Sequence, residues 1–340
     1  MALPAAARAP AAILVRTPNW LGDLMMATAF LEALCARFPD VPIDLIVRRG
    51  LENIPLPHRG RVLAFDRTQQ SAGAFGRGLR GQGYSHCFVL PPSFSAAWMA
   101  WRSRIPWRIG YGGEGRGLLL RPALRRTAAP RSRHLALEYL DLLRPWGVQS
   151  DGATALHLPV DAAWVAQRRP AALAGLDGYV VLASGAEYGP AKQWPLAYYA
   201  RLAQGLGAAG WPVVVAGLAK DRAAAEQILQ GVPGGINLCG DTGLEALIAV
   251  LAGAALLASN DSGAMHIGAA LGIAQVAFFG STNPRWTAPL NPRAHVLTRS
   301  LPCAPCYARE CPLGHLNCLR ELTPEPVLAQ CLDLLGARSA

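Results

Sequence analysis

The sequence predicts an α/β protein of two doubly wound parallel-sheet domains, and three observations carry that expectation. Short apolar, β-type runs alternate with helical patterns along nearly the whole chain, as a parallel sheet with crossover helices requires. The length of 340 residues exceeds the roughly 100 to 200 residues of one domain. The alternation is also interrupted once, at residues 149–178, where Gly, Asp, Ala and Pro break the pattern.

The first domain is expected over residues 1–160. Its opening apolar run, 11–15, reads as a strand; the loop Arg16-Thr17-Pro18-Asn19-Trp20-Leu21-Gly22-Asp23 follows, and residues 24–38 carry a helical pattern. Further strands are expected at 43–47, 61–65 and 86–90, and a helix over 134–146 closes the domain. The second domain is expected over 175–322, with strands at 179–183, 213–216, 236–238, 255–258 and 275–279, followed by a helix and tail over 323–340. The longest apolar run, residues 246–258, has 13 residues, short of the roughly 20 a membrane-spanning helix needs. It reads as a core helix running into a strand. The first 15 residues carry Arg8 and no apolar stretch leading to a cleavage site, so a cytoplasmic location is expected.

Hydrophobic residues make up 52% of the chain and charged residues 16%, which excludes a disordered chain. The net charge of +10 is uneven: residues 1–150 hold 20 arginines against nine acids, and residues 151–340 hold 12 basic residues against 13 acids. Residues 102–133 alone carry nine arginines and the single acid Glu114. Such asymmetry implies an anionic partner for the first half, whether phosphorylated lipid, membrane surface or nucleic acid. Nucleic acid is the weakest of these, because the aromatics are not interleaved with the arginines in an RNA-binding pattern and the cysteine cluster sits in the acidic half. Only Lys192 and Lys220 are lysines, so either position is a candidate for needing a compact ammonium.

In open parallel sheets ligands bind beyond the carboxyl ends of the strands. There the strand at 255–258 runs into Ser259-Asn260-Asp261-Ser262-Gly263, with Met265 and His266 in the first turn of the helix that follows. A helix N-terminus offers free N–H groups and a positive dipole end to an anion; the plainer alternative is that Asp261 or Ser262 only caps the helix. The next strand ends in Gly280-Ser281-Thr282-Asn283-Pro284, a second small polar loop at the same edge, and the pair suits a diphosphate. Lys192 lies in the loop after the domain's first strand, just before Pro195, which is placed to open a helix. No Gly-x-Gly-x-x-Gly follows either first strand, no Walker-type lysine motif is present, and no Ser/His/Asp elbow. Dinucleotide oxidoreductase, P-loop and serine hydrolase readings are therefore disfavoured, and a sugar-nucleotide transferase is favoured.

Four segments in chain order carry a resemblance: Asn19-Trp20-Leu21-Gly22-Asp23, Gly189-Pro190-Ala191-Lys192-Gln193-Trp194-Pro195, Asn260-Asp261-Ser262-Gly263-Ala264-Met265-His266 and Gly280-Ser281-Thr282-Asn283-Pro284. Together they resemble glycosyltransferase family 9. The segment Gly110-Tyr111-Gly112-Gly113-Glu114-Gly115-Arg116-Gly117 and a cysteine cluster resemble its heptosyltransferase II branch. The resemblance implies GT-B architecture with a cleft between the two domains, and an inverting transfer of heptose from ADP-heptose to the inner core of lipopolysaccharide. It implies no cofactor beyond the donor substrate, no metal and no nucleic acid. The partners it implies are the nucleotide-sugar donor, a phosphorylated lipid A-core acceptor and the anionic inner face of the cytoplasmic membrane. Carried over residue by residue, Asp23 is the general base and Lys192 the phosphate-binding lysine. Asp261, Ser262, Gly263 and His266 form the diphosphate loop, with Thr282 beside it. Asp221 holds the ribose, Thr242 lines the adenine, and Glu114 and Arg116 face the acceptor. Pro92 stands where that branch usually has asparagine, so another family 9 transferase with a different acceptor is the alternative, and a nucleic-acid-binding protein built on the basic first half and a zinc-like C-terminal cysteine cluster is the weaker one. Asp23 itself has a simpler reading, as the N-cap of the helix expected to start at Leu24.

The cluster Cys303-x2-Cys306-x4-Cys311-x3-His315-x2-Cys318 has spacing that resembles a structural zinc site. Against zinc, it lacks the two separated ligand pairs of common zinc modules. A loop of reduced thiols packed under the last helix is the other reading.

Overall fold

A computed structural model describes residues 9–126, 129, 131–150 and 155–336. The chain divides into two compact units, Met1–Ala153 and Thr154–Ala340. The first unit holds β1 (Ile13–Arg16), β2 (Ile43–Arg48), β3 (Val62–Phe65), β4 (His86–Val89), β5 (Trp107–Tyr111) and β6 (Ala123–Leu124) in the order β3-β2-β1-β4-β5-β6. The second holds β7 (Val180–Ala183), β8 (Val213–Val215), β9 (Ile236–Asn237), β10 (Leu256–Asn260), β11 (Ala274–Phe279) and β12 (Ala294–Thr298) in the order β12-β11-β10-β7-β8-β9. Read from its other edge, the second order is the same as the first. Every ladder between these strands is parallel, and the order reverses between β1 and β4 in one unit and between β7 and β10 in the other. Both units are thus Rossmann-type sheets, each with a crevice for a ligand at its switch point.

The central strands are buried on both faces, which is why they read as mainly apolar runs rather than alternating ones. β1, β7, β10 and β11 have no exposed residue. In the second unit Val180, Leu182, Trp194, Tyr199, Val276 and Phe278 pack into one core with Val327 and Cys331 of the helix Pro324–Leu335. The apolar run at 246–258 divides as expected into the helix Leu244–Ala252 and β10.

Three strands escape the sequence reading, and all lie toward a sheet edge. β5 mixes Arg108 and Gly110 with aromatics, β6 has two residues, and β12 is only half-buried, so none presents an apolar run. Two helix boundaries also need correction. The helix expected from Leu24 begins at Leu21 and breaks at Ala27 into Leu21–Met26 and Thr28–Arg37. Pro195 is the residue before its helix, Leu196–Ala208, and not its first member.

Candidate active site

In the second unit, Asn260 at the end of β10 ties the switch point together. Its side-chain oxygen accepts from the Trp194 N–H at 2.9 Å and the Tyr199 hydroxyl at 3.1 Å, while its amide donates to the Ser184 carbonyl at 2.7 Å. Trp194 is held from its other side as well, stacking on Phe278 at 4.4 Å and donating its indole N–H to Leu322 at 2.8 Å. These bonds fix the loop after β7 over the strand ends, and Lys192 hangs from that loop.

Lys192 Nζ donates to Asp261 Oδ2 at 2.6 Å, and the Thr282 hydroxyl donates to the same oxygen at 2.6 Å. Three loops, after β7, β10 and β11, therefore meet at one buried carboxylate. Ser262 occupies the cap position of the helix Gly263–Ala270 without a side-chain cap bond, and Asp261 is committed to Lys192 and Thr282. The simple capping alternative therefore fails for both residues. The Ser262 and Ser281 hydroxyls are buried atoms without a partner, on the two loops that flank this point. Gly263 opens the helix, and His266 is buried in its first turn. The first-turn N–H groups of a helix have no partner within it, so this corner gathers N–H groups, two hydroxyls and an ammonium that is paired with the Asp261 carboxylate.

Asp221 accepts from the Leu218 N–H at 2.9 Å, and a Cβ added at Gly185 would sit 2.6 Å from its Oδ2. The glycine after β7 thus makes room for a carboxylate delivered from the loop after β8. Thr242 is half-buried just before the helix Leu244–Ala252. Its loop packs closely on the Asp221 loop, since a Cβ on Gly240 would stand 2.8 Å from Ala219 Cα.

The cysteine-rich segment buttresses the lysine loop. The Arg309 carbonyl accepts from Ala191 N–H at 2.9 Å, Tyr307 N–H donates to Ser281 at 2.7 Å, and the Tyr188 hydroxyl donates to Tyr307 at 2.6 Å. The Tyr188 ring has Lys192 Nζ 5.0 Å and the Arg309 guanidinium 5.3 Å from its centroid. Sequence reasoning missed Tyr188 and Arg309; their signal was only proximity in sequence to motif residues. Among the described residues no group of three or more His, Cys, Asp or Glu is arranged to hold a metal ion. The Cys311 carbonyl accepts from the Gly314 N–H at 3.1 Å, and backbone N–H groups, that of Leu316 first, hold the Cys311 thiol below its ordinary pKa.

In the first unit Asp23 is the third residue of the helix Leu21–Met26, whose cap position is Trp20 in an extended conformation. The N-cap reading of Asp23 is therefore overturned. Tyr139, buried on the helix Leu135–Leu140, has its phenol held far above its ordinary pKa, by burial first and then by the nearby Asp23 carboxylate. Arg16, at the end of β1, is buried and donates to the Asn19 side chain and to the carbonyls of Thr17 and Ile46. Burial lowers its guanidinium to about 10. It holds Thr17 and Asn19, just before the helix Leu21–Met26 that carries Asp23, a role legible only as an arginine ending an apolar strand.

Glu114 is exposed at φ +46, and Arg116 is buried, donating to Pro91 at 2.6 Å and Ser93 at 3.3 Å. Arg116 thus ties the loop after β5 to the loop after β4. The arginine-rich stretch 102–133 is not one free patch. Arg126 pairs with Glu138 and Arg133 with Asp141, Arg108 donates to backbone carbonyls, and Arg102 and Arg121 lie over Trp98 and Trp107.

Fold and site together define a class, the glycosyltransferases assembled from two Rossmann-type domains. Residues 72–317 match glycosyltransferase family 9 (heptosyltransferase), and the chain belongs to that family. It is 33% identical over 356 residues to lipopolysaccharide heptosyltransferase 2 of Salmonella typhimurium, covering 95% of this chain and 98% of that one. To the enzyme of the same name from Escherichia coli it is 32% identical over 353 residues, with the same coverage. The solved structure of E. coli ADP-heptose LPS heptosyltransferase II superposes with a TM-score of 0.81 at 28% identity, over 95% of this chain and 98% of that one. A family 9 glycosyltransferase structure from Veillonella parvula, 22% identical with a TM-score of 0.82 and 98% coverage of both chains, shares the fold.

Proposed function

We propose that this glycosyltransferase moves heptose from ADP-heptose to the phosphorylated inner core of lipopolysaccharide, with inversion and without a metal. The reaction is placed at the cytoplasmic face of the membrane that carries the acceptor. The observation that carries the reading is the convergence of Lys192, Asp261 and Thr282 beside the N-terminus of the helix Gly263–Ala270. A nucleoside diphosphate leaving group needs positive charge and donors where its own charge grows, and it needs them more in the transition state than before it. Near full-length similarity to relatives named lipopolysaccharide heptosyltransferase 2 supports the donor and acceptor.

In this reading Lys192 and the helix N–H groups take the diphosphate, with Ser262, Gly263, His266 and Thr282 lining its pocket. Asp221 meets the ribose and Thr242 the adenine. Asp23 takes the acceptor proton as the new glycosidic bond forms, and inversion follows from attack opposite the leaving diphosphate. Glu114 meets the acceptor from its exposed loop, and Arg116 acts on it through the two loops that it ties. No step requires a Lewis acid, because the ammonium and helix dipole supply the charge. The experiment is release of ADP from ADP-heptose in the presence of a heptose-bearing lipid core. Absence of acceptor-dependent ADP release would sink the reading.

A further inference from the structure

The helix Phe94–Arg102 buries Ala96, Ala97, Met99 and Ala100 and turns an aromatic ladder the other way. Phe94, Trp98 and Trp101 recur at helical spacing, with ring centroids 6.5 Å and 4.9 Å apart and near-parallel planes. Phe94 is 51% exposed and Trp101 43%. The 3-10 turn Arg116–Leu118 packs beside this helix and ends in Leu118, which is 91% exposed. Scattered exposed apolar residues are ordinary, but a contiguous group of large ones marks an interaction surface.

Positive charge surrounds the ladder. The Arg102 guanidinium lies 5.2 Å from the Trp98 ring, and Arg80 donates to the Arg102 carbonyl at 2.9 Å. Arg77 and Arg80, on and just after the helix Ala72–Gly78 that packs against the ladder helix, and Arg104, just after the ladder helix itself, are all exposed. Arg80 is held below its ordinary pKa, by desolvation first and then by Arg104, Arg102 and Arg77. Between Asp66 and Glu114 the chain has six arginines and no acid. None of these residues belongs to the phosphate corner or the Asp23 helix.

We infer that this aromatic and arginine face of the first unit docks on the surface of an anionic lipid bilayer, with Phe94, Trp101 and Leu118 in the headgroup region. Charge complementarity selects the occupant. Aromatic rings with a polar surround settle at the membrane interface, and a polybasic patch beside them supplies the second of the two signals that stable peripheral binding needs. A protein partner of ordinary composition would leave the arginines unmatched. The inference deepens the reading of the acceptor as a membrane lipid, yet its test needs neither donor nor acceptor.

The test is flotation of the full chain with vesicles of phosphatidylglycerol and phosphatidylcholine in equal parts, beside vesicles of phosphatidylcholine alone. The wild type is expected to float with the anionic vesicles and only weakly with the neutral ones, and to be released by raised salt. Phe94→Ser/Trp101→Ser should lower partition by about ten-fold or more. Arg77→Glu/Arg80→Glu/Arg104→Glu should lower it by about five-fold or more for each arginine replaced. Both variants should keep wild-type turnover on detergent-dispersed acceptor, which shows that they fold. Wild-type vesicle binding in both variants, equal binding to neutral vesicles, or no binding at all overturns the inference. So does a wild-type dimer that dissociates in the aromatic variant, which assigns the face to a second copy. Vesicle binding as stated, with no transfer from ADP-heptose, leaves the docking face standing and removes the donor and acceptor reading instead.

Discussion

Lys192 and Asp261 lie 69 residues apart in the chain, and their side chains meet at 2.6 Å. The ion pair stands at the end of β10, so a ligand diphosphate arriving there competes with a carboxylate for the ammonium. Lys192→Ala should lower kcat by roughly 10²- to 10³-fold, the scale for removing one preorganised donor from developing negative charge. It also leaves a buried carboxylate with Thr282 alone. Breaking a buried pair from one side costs about 3–5 kcal/mol, and half-buried Lys192 puts the loss at the low end. The double variant Lys192→Ala/Asp261→Asn should recover thermal stability without recovering turnover. A kcat left at the wild-type value, with only KM for the donor raised, would make the lysine a uniform binder.

Asp23→Asn isolates proton transfer. Asn keeps the size and the hydrogen-bonding reach of Asp at this first-turn position, so the substitution should leave the melting temperature near wild type. Transfer should fall by roughly 10²-fold or more, the usual contribution of a general base, while ADP affinity measured by calorimetry stays unchanged. Retention of most of the turnover removes Asp23 from the chemistry.

The buttress behind the lysine loop predicts a long reach for one methyl group. Gly189 has φ +153, and a Cβ there would stand 2.5 Å from the Arg309 carbonyl oxygen. Gly189→Ala should therefore shift the loop that carries Lys192 and weaken ADP binding by about ten-fold, since small misplacements of a positioned group carry large costs. Gly78→Ala is the control, because nothing lies within 4 Å of its Cβ position. It should leave ADP binding alone and keep or slightly raise stability. Equal ADP affinities in the two variants would show that the cysteine-rich segment does not position the lysine.

At the opposite end of the first sheet, Asp44 sets a pH dependence of stability. Burial raises its carboxyl pKa, but bonds from the Arg61 backbone, the Tyr84 hydroxyl and the Arg61 guanidinium outweigh that, and the pKa is lowered overall. A carboxylate depressed in the folded state contributes stability that is fully present above its unfolded pKa of about 4. That contribution is lost as pH falls through the unfolded value toward the folded one. Urea denaturation between about pH 5 and pH 3 should show Asp44→Asn with a flatter decline than the wild type. Parallel declines would remove Asp44 from the acid response.

A chelator tests the metal-free reading. A chelator added to the running assay should leave ADP release unchanged on the assay timescale. Immediate and complete loss that zinc restores would assign Cys303, Cys306, Cys311 and Cys318 a metal that turnover needs.

The α/β class, the two doubly wound units and the strands at the centre of each sheet were legible in the sequence, because a strand buried on both faces must be apolar throughout. That the loops carrying Lys192, Asp261 and Thr282 meet was legible too, since loops after parallel strands lie at one sheet edge whatever their distance in the chain. Edge strands such as β12 were not, because half-buried residues impose no pattern. The partnership of Asp261 with Lys192, the release of Asp23 from capping, and the seat of Tyr188 between Lys192 and Arg309 were decided only by tertiary structure. Each depends on a distance between residues on different elements, and no local periodicity encodes such a distance. The arginines of residues 102–133 make the same point from the other side. Their number was plain in the sequence, but burial and pairing within the folded unit divided them between ties such as Arg116 and free charge such as Arg104.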